Sequence, residues 1–90
     1  MGEVFITLKV MPTSPEVKAK DLKEKVKAKA EEIEAKVFEL KEEPIAFGLV
    51  AVIITIIWKE DKNPDIIETE LAKIKDVNSV QVIDLRRAII

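Results

Sequence analysis

The amino-acid sequence predicts an α+β sandwich of order βαββαβ, a four-stranded antiparallel sheet carrying two helices on one face. Two observations predict it. Strand-period and helix-period hydrophobic patterns succeed one another in that order, and both helical segments follow a polar residue and a proline. The 90 residues make one domain, 1–90, too short for two independent cores. The chain should fold rather than stay disordered, because 48% of it is hydrophobic and it has only two Gly and four Pro.

The first strand is predicted over residues 3–11. Val4, Ile6, Leu8 and Val10 share one face, and Phe5, Thr7, Lys9 and Met11 share the other. Pro12 ends it. Ser14-Pro15-Glu16 has the form of a helix start, with a capping hydroxyl, a proline suited to the first helical position and an acid that complements the dipole. Ala19, Leu22, Val26, Ala30 and Ile33 then recur at spacings of three and four, which predicts an amphipathic helix of roughly 20 residues. Glu16/Lys20, Asp21/Lys25 and Glu32/Lys36 have the favourable acid-before-base order, so the Lys/Glu run is read as a solvated face.

Residues 37–41 alternate as a second strand, with Phe38 and Leu40 opposing Val37, Glu39 and Lys41. Glu42-Glu43-Pro44 breaks it. Residues 45–58 form the longest apolar run, well short of the roughly 20 residues of a membrane-spanning helix and rich in β-branched side chains, and are predicted to be a long third strand. Asn63-Pro64 opens a second helix with Asp65 and Glu68 in its first turn and Ile67, Leu71 and Ile74 on its apolar face. The last strand spans 77–85, apolar at Val80, Val82, Ile83 and Leu85; the pattern does not fix which way it faces.

Right-handed crossovers put both helices on one face of this sheet, which is the ferredoxin-like arrangement with strands one and three central. The third strand is apolar on both faces: Phe47, Leu49, Ala51, Ile53 and Ile57 on one, Val50, Val52, Ile54, Ile56 and Trp58 on the other. One set must lie on the side without helices. An apolar open face is therefore expected, covered by a partner or by a second copy in a homodimer.

Composition removes many chemistries. There is no Cys, His or Tyr, which excludes thiolate nucleophiles, disulfides, Cys/His zinc sites and imidazole bases, so no catalytic residue is assigned and no covalent enzyme is expected. Asp61, Asp65, Asp76 and Asp84 lack the compact spacing of a calcium loop; no metal site and no cofactor are assigned. A net charge of -2 gives no global pull toward nucleic acid, and the few aromatics, Phe5, Phe47 and Trp58, with few basic neighbours argue against direct nucleic-acid binding. Nothing at the N-terminus reads as a signal peptide, and Ile6 stands where a myristoylation motif needs Ser or Thr, so no membrane partner and a cytoplasmic location are expected. Lys/Glu dominance with few side-chain amides resembles a thermophile's composition.

One segment exceeds what packing requires: Glu42-Glu43-Pro44-Ile45-Ala46-Phe47-Gly48-Leu49, a proline-entered turn with a large aromatic beside glycine. With Val4-Phe5-Ile6-Thr7-Leu8-Lys9-Val10-Met11-Pro12 and the ending Asp84-Leu85-Arg86-Arg87-Ala88-Ile89, it gives the chain a resemblance, over essentially its whole length, to the archaeal elongation factor 1-beta family. The resemblance implies a guanine-nucleotide exchange factor that promotes replacement of GDP by GTP on the translation GTPase elongation factor 1-alpha. It also implies that Phe47, with Pro44, Ile45, Ala46 and Gly48, presses on that GTPase. The sequence equally accommodates Phe47 pointing into the core. Arg86 and Arg87 fit two roles, an acidic partner surface or protection of a strand edge.

The chain departs from the family twice. No lysine follows Lys75, whereas eukaryotic relatives end with one, and Val50, Ala51 and Ile53 replace the polar residues usual after the Phe-Gly pair. Other uses of the fold form the alternative: a small-molecule-binding regulatory module or a self-assembling domain. Against the former, residues 11–15 carry two prolines and no glycine for close backbone approach to a ligand.

Overall fold

A computed structural model of the chain describes residues 2–87. The elements are β1 (Glu3–Pro12), α1 (Ala19–Glu32), β2 (Lys36–Pro44), β3 (Val50–Lys59), α2 (Asp65–Ala72) and β4 (Val77–Arg87), with a short 3-10 turn at Ala46–Gly48 between β2 and β3. One antiparallel sheet of order β2-β3-β1-β4 carries the helices, so the βαββαβ ferredoxin-like sandwich is the observed fold.

Period-two patterning decides the layers. Val4, Ile6, Leu8 and Val10 of β1 and Val52, Ile54, Ile56 and Trp58 of β3 are buried in one cluster with Leu22, Val26 and Ala30 of α1 and Ile67 and Leu71 of α2. This is the helix-covered face. Burial of one such aliphatic side chain contributes about 1.5–3 kcal/mol, so this one cluster holds the layers together. Ala51, Ile53 and Ile57 point to the other side with Phe5, Thr7 and Lys9, their register partners or neighbours on β1.

The structure corrects several boundaries. Helix α1 starts at Ala19, not at Ser14; Ser14, Pro15 and Glu16 form a turn in which the Val17 N–H donates to Ser14 O at 3.2 Å. It ends in a Schellman motif without glycine. The Ala35 N–H reaches back to Ala30 O at 2.8 Å and the Glu34 N–H to Glu31 O at 3.0 Å, with Glu34 itself at φ 66°. None of the three expected i,i+4 pairs is made. Lys25 binds Asp76 at 2.5 Å, Lys23 binds Glu42 at 2.8 Å, and Glu16 and Lys36 lie outside the helix. Tertiary partners compete successfully with the weak helical pairing.

In β2, Phe38 is the extra residue of a bulge between Val37 and Glu39, so Val37 and Leu40 both face the core while Phe38 turns the opposite way. Its ring lies edge-on to Phe5 at 5.1 Å between centroids. The expected pairing of Phe38 and Leu40 on one face is therefore wrong by that one residue. A second irregularity lies in β4, where Thr7 pairs Asp84 and Leu8 pairs Val82, leaving Ile83 unpaired and exposed. That bulge explains why its facing was unreadable: an inserted residue resets the alternation. Strand β4 also runs on to Arg87, so Arg86 and Arg87 belong to the sheet.

Candidate functional site

The ladder between β2 and β3 ends where Pro44 pairs Val50, so the apolar run does not form one strand from residue 45. Residues 45–49 close a hairpin instead. The Ile45 N–H donates to Leu49 O at 2.7 Å, and the Leu49 N–H donates to Ala46 O at 3.3 Å. Between them Phe47 (φ 63°, ψ 29°) and Gly48 (φ 77°) both take the left-handed conformation. Extended backbone is impossible there, which removes Phe47 from the sheet face assigned to it by alternation, while Leu49 is extended at φ -76° and ψ 140°.

Glycine takes this conformation freely, whereas phenylalanine pays about 1–2 kcal/mol. The outcome is an aromatic ring held in solvent: Phe47 is 91% exposed. The core placement that the sequence left open is excluded. Pro44, Ala46 and Gly48 are exposed beside it and Ile45 is half-buried, so the five residues form a continuous apolar tip. A large apolar group kept in water at a backbone cost is the kind of outlier that points to function.

A second loop supports the tip. A Cβ placed on Gly48 would lie 3.6 Å from Cβ of Pro15, so the β1–α1 connection packs against the hairpin. Pro15 was read from the sequence as a helix start, and no local signal marks it as a buttress, because the contact joins residues 33 positions apart. Behind it an open groove of about 630 Å³ is lined by Thr13, Ser14, Asp21, Lys25 and Asp76, among others. Its walls are joined by the Lys25–Asp76 pair. The hydrogen bond from Lys25 holds the Asp76 carboxyl below its usual value, aided by the Lys25 and Lys75 charges, and the same bond raises the Lys25 ammonium. Glu42 and Glu43 at the base of the hairpin are partnered by Lys23 at 2.8 Å and Lys9 at 3.7 Å. The tip thus projects from a base of paired charges.

Arg86 and Arg87 are not brought to the tip. They pair in register with Phe5 and Val4 at the other end of β1, about seven strand residues or ~23 Å from the Pro44–Val50 level. Both arginines are matched within the chain: Arg86 Nε lies 2.9 Å from Asp84 Oδ2, and Arg87 hydrogen-bonds Glu60. Among the described residues no group of three or more acidic side chains is arranged to hold a metal ion. No helix there is long and apolar enough to cross a membrane.

The tip is thus an exposed aromatic on an apolar hairpin, and comparison with known proteins gives the context. Residues 5–88 match the EF-1 guanine nucleotide exchange domain. Elongation factor 1-beta of Methanobrevibacter smithii is 47% identical over 88 residues, covering 97% of this chain and 98% of its own length. The proteins of the same name from Methanocaldococcus jannaschii and Methanosphaera stadtmanae are 41% and 42% identical, over 98% and 97% of this chain and 100% and 98% of their own lengths. The family match and the relatives' coverage both run over nearly the whole chain, and the chain belongs to the EF-1 guanine nucleotide exchange domain family.

Proposed function

We propose that this chain binds the translation GTPase elongation factor 1-alpha and promotes exchange of its GDP for GTP, with Phe47 as the anchor of the contact. The observation that carries the reading is the 91% exposure of Phe47 on a left-handed, glycine-supported hairpin. Aromatic anchors seated in a partner's pocket dominate protein interfaces. Here the ring is already in its outward pose, so little ordering entropy is lost on docking.

Exchange itself is a linkage effect. A factor that binds the nucleotide-free GTPase more tightly than the GDP-bound form must weaken GDP by the same factor, and no bond in any substrate is made or broken. Pro44, Ile45, Ala46 and Gly48 extend the apolar contact around the ring. Arg86 and Arg87, satisfied in the chain and about 23 Å away, are assigned to protecting the exposed edge of β4 rather than to this contact.

The test is release of a fluorescent GDP analogue from the cognate GTPase, chased with excess GTP. Wild-type protein should accelerate release in proportion to its concentration, and Phe47→Ala should lose most of that acceleration. Folded wild-type protein that leaves release unchanged would remove the exchange reading.

A further inference from the structure

Phe47 stands on a short stem. The β2–β3 ladder closes at Pro44 and Val50, and beyond it residues 45–49 are joined by two backbone hydrogen bonds, Ile45 N–H to Leu49 O at 2.7 Å and Leu49 N–H to Ala46 O at 3.3 Å. The ring is 91% exposed, so it lends the stem no packing of its own. Gly48, at φ 77°, lacks the side chain that narrows the backbone freedom of other residues. The aim of the ring is therefore set by what borders the hairpin from outside.

Two routes lead from α1 to that hairpin. One is direct: Lys23 binds Glu42, at the base of the hairpin, at 2.8 Å. The other runs through the loop of residues 13–17. Lys25 Nζ donates to Asp76 Oδ2 at 2.5 Å, and the main-chain O of the same Asp76 accepts from the Thr13 N–H at 2.9 Å. The far end of the loop is fixed by the Val17 N–H on Ser14 O at 3.2 Å and by the Val17 side chain, which packs against the core. Pro15 lies between these two anchorages with φ locked by its ring. Its Cβ is the atom that a Cβ on Gly48 would meet, at 3.6 Å. A loop tied at both ends and stiffened in the middle acts as a stop for the hairpin.

We propose that Pro15 is a positioning residue for the Phe47 anchor, and that the Lys25–Asp76 pair keeps Pro15 in place. The functional half of this rests on the exchange reading, since it takes Phe47 as the group that docks. Pro15 limits the swing of Gly48 on its side, which holds the ring in the docking pose. When only a fraction of molecules has that pose, the apparent affinity falls by the same fraction while the docked complex is unaltered. Loss of the stop thus raises the concentration of factor needed for half-maximal GDP release and leaves the maximal rate alone. A purely structural loop would instead alter the stability of the whole chain, with no effect confined to the tip. Pro15 is itself exposed, so a direct touch on the GTPase is the reading to be separated from positioning.

Two measurements do so. The first uses the chain alone. Amide hydrogen exchange followed by NMR reports the Ile45 and Leu49 N–H groups, and Pro15→Gly and Lys25→Met should each speed both about fivefold. The amide of Ile54, buried in β3, should be unchanged, and urea denaturation should show both variants folded. Pro15→Ala keeps the contacting Cβ and should stay within about twofold of wild type. The second measurement is release of a fluorescent GDP analogue from the cognate GTPase, titrated to saturation with each variant. Pro15→Gly and Lys25→Met should raise the half-saturating concentration about fivefold at an unchanged maximal rate, and neither should add to the loss in Phe47→Ala. Hairpin amides that keep wild-type rates in Pro15→Gly would overturn the positioning role, and the same result in Lys25→Met would overturn the part given to the pair. A penalty that persists in the Phe47→Ala background would also overturn it, by showing that Pro15 touches the GTPase itself. A wild type that leaves GDP release unchanged while the hairpin amides respond as described would remove the exchange reading and uphold the positioning of the ring.

Discussion

Truncation of Phe47 to alanine separates a recognition role from a structural one, because the side chain carries no part of the core and stands 91% exposed. A phenylalanine offers about 150 Å² of apolar surface. Complete burial against a partner is worth about 4 kcal/mol at ~25 cal/mol per Å². With half to three-quarters of it buried on docking, the contact loses about 2–3 kcal/mol in the variant, or 30- to 150-fold in the second-order rate constant for GDP release. The backbone cost at φ 63° is the same for alanine as for phenylalanine, so unfolding free energy should stay within about 0.5 kcal/mol of wild type. Stopped-flow release of a fluorescent GDP analogue gives the first quantity, and urea denaturation followed by emission of the single tryptophan, Trp58, gives the second. Unchanged release at unchanged stability would refute the anchor. A fall in stability of 2 kcal/mol or more would show that the ring packs against the chain itself.

Three further outcomes follow from the geometry. Gly48→Ala has room for its methyl group, 3.6 Å from Pro15, but must hold φ 77°; it should lose about 1 kcal/mol, lower Tm by roughly 4–8 °C and slow exchange by displacing Phe47. Glu34→Gly relieves the left-handed residue that ends α1 and should raise Tm by roughly 4–8 °C in the same calorimetric scan. The Lys25–Asp76 pair acts at both ends of the pH scale. The lowered Asp76 contributes stability above the ordinary aspartate range that is lost as pH falls through its depressed folded value, and the raised Lys25 contributes stability below the ordinary lysine range that is lost as pH rises through its elevated one. Denaturation profiles of Lys25→Met/Asp76→Asn against wild type should converge at both extremes and separate between them; parallel curves would mean that the pair is idle.

Element type and order could be read along the chain because each depends on near neighbours. Val4, Ile6, Leu8 and Val10 have strand period, Leu22, Val26 and Ala30 have helix period, and both patterns proved to mark the core. Single residues that break a period defeated the reading. Phe38 and Ile83 are extra residues in bulges that form only when a partner strand imposes its register, and nothing in their own flanking residues records it. The tip was legible as a motif but not as a shape. Pro44 and Gly48 marked a turn, yet the surrounding apolar residues continued a strand pattern on both sides and drew Phe47 into it.

By itself the sequence determined the fold class, the alternating faces of β1 and the apolar faces of the two helices, the absence of imidazole and thiol chemistry, and the segment around Phe47 as the place to look. These follow from composition and from periods of two and 3.6, which operate over a few residues. The tertiary structure alone decided that Phe47 faces solvent, that Pro15 supports Gly48, that Lys25 prefers Asp76 to its helical neighbour Asp21, and that Arg86 and Arg87 lie at the far end of the sheet from the tip. Each of those is a contact between distant positions or a backbone choice made at the end of a ladder. Such choices are settled when strands find their register, and that is a property of the folded whole.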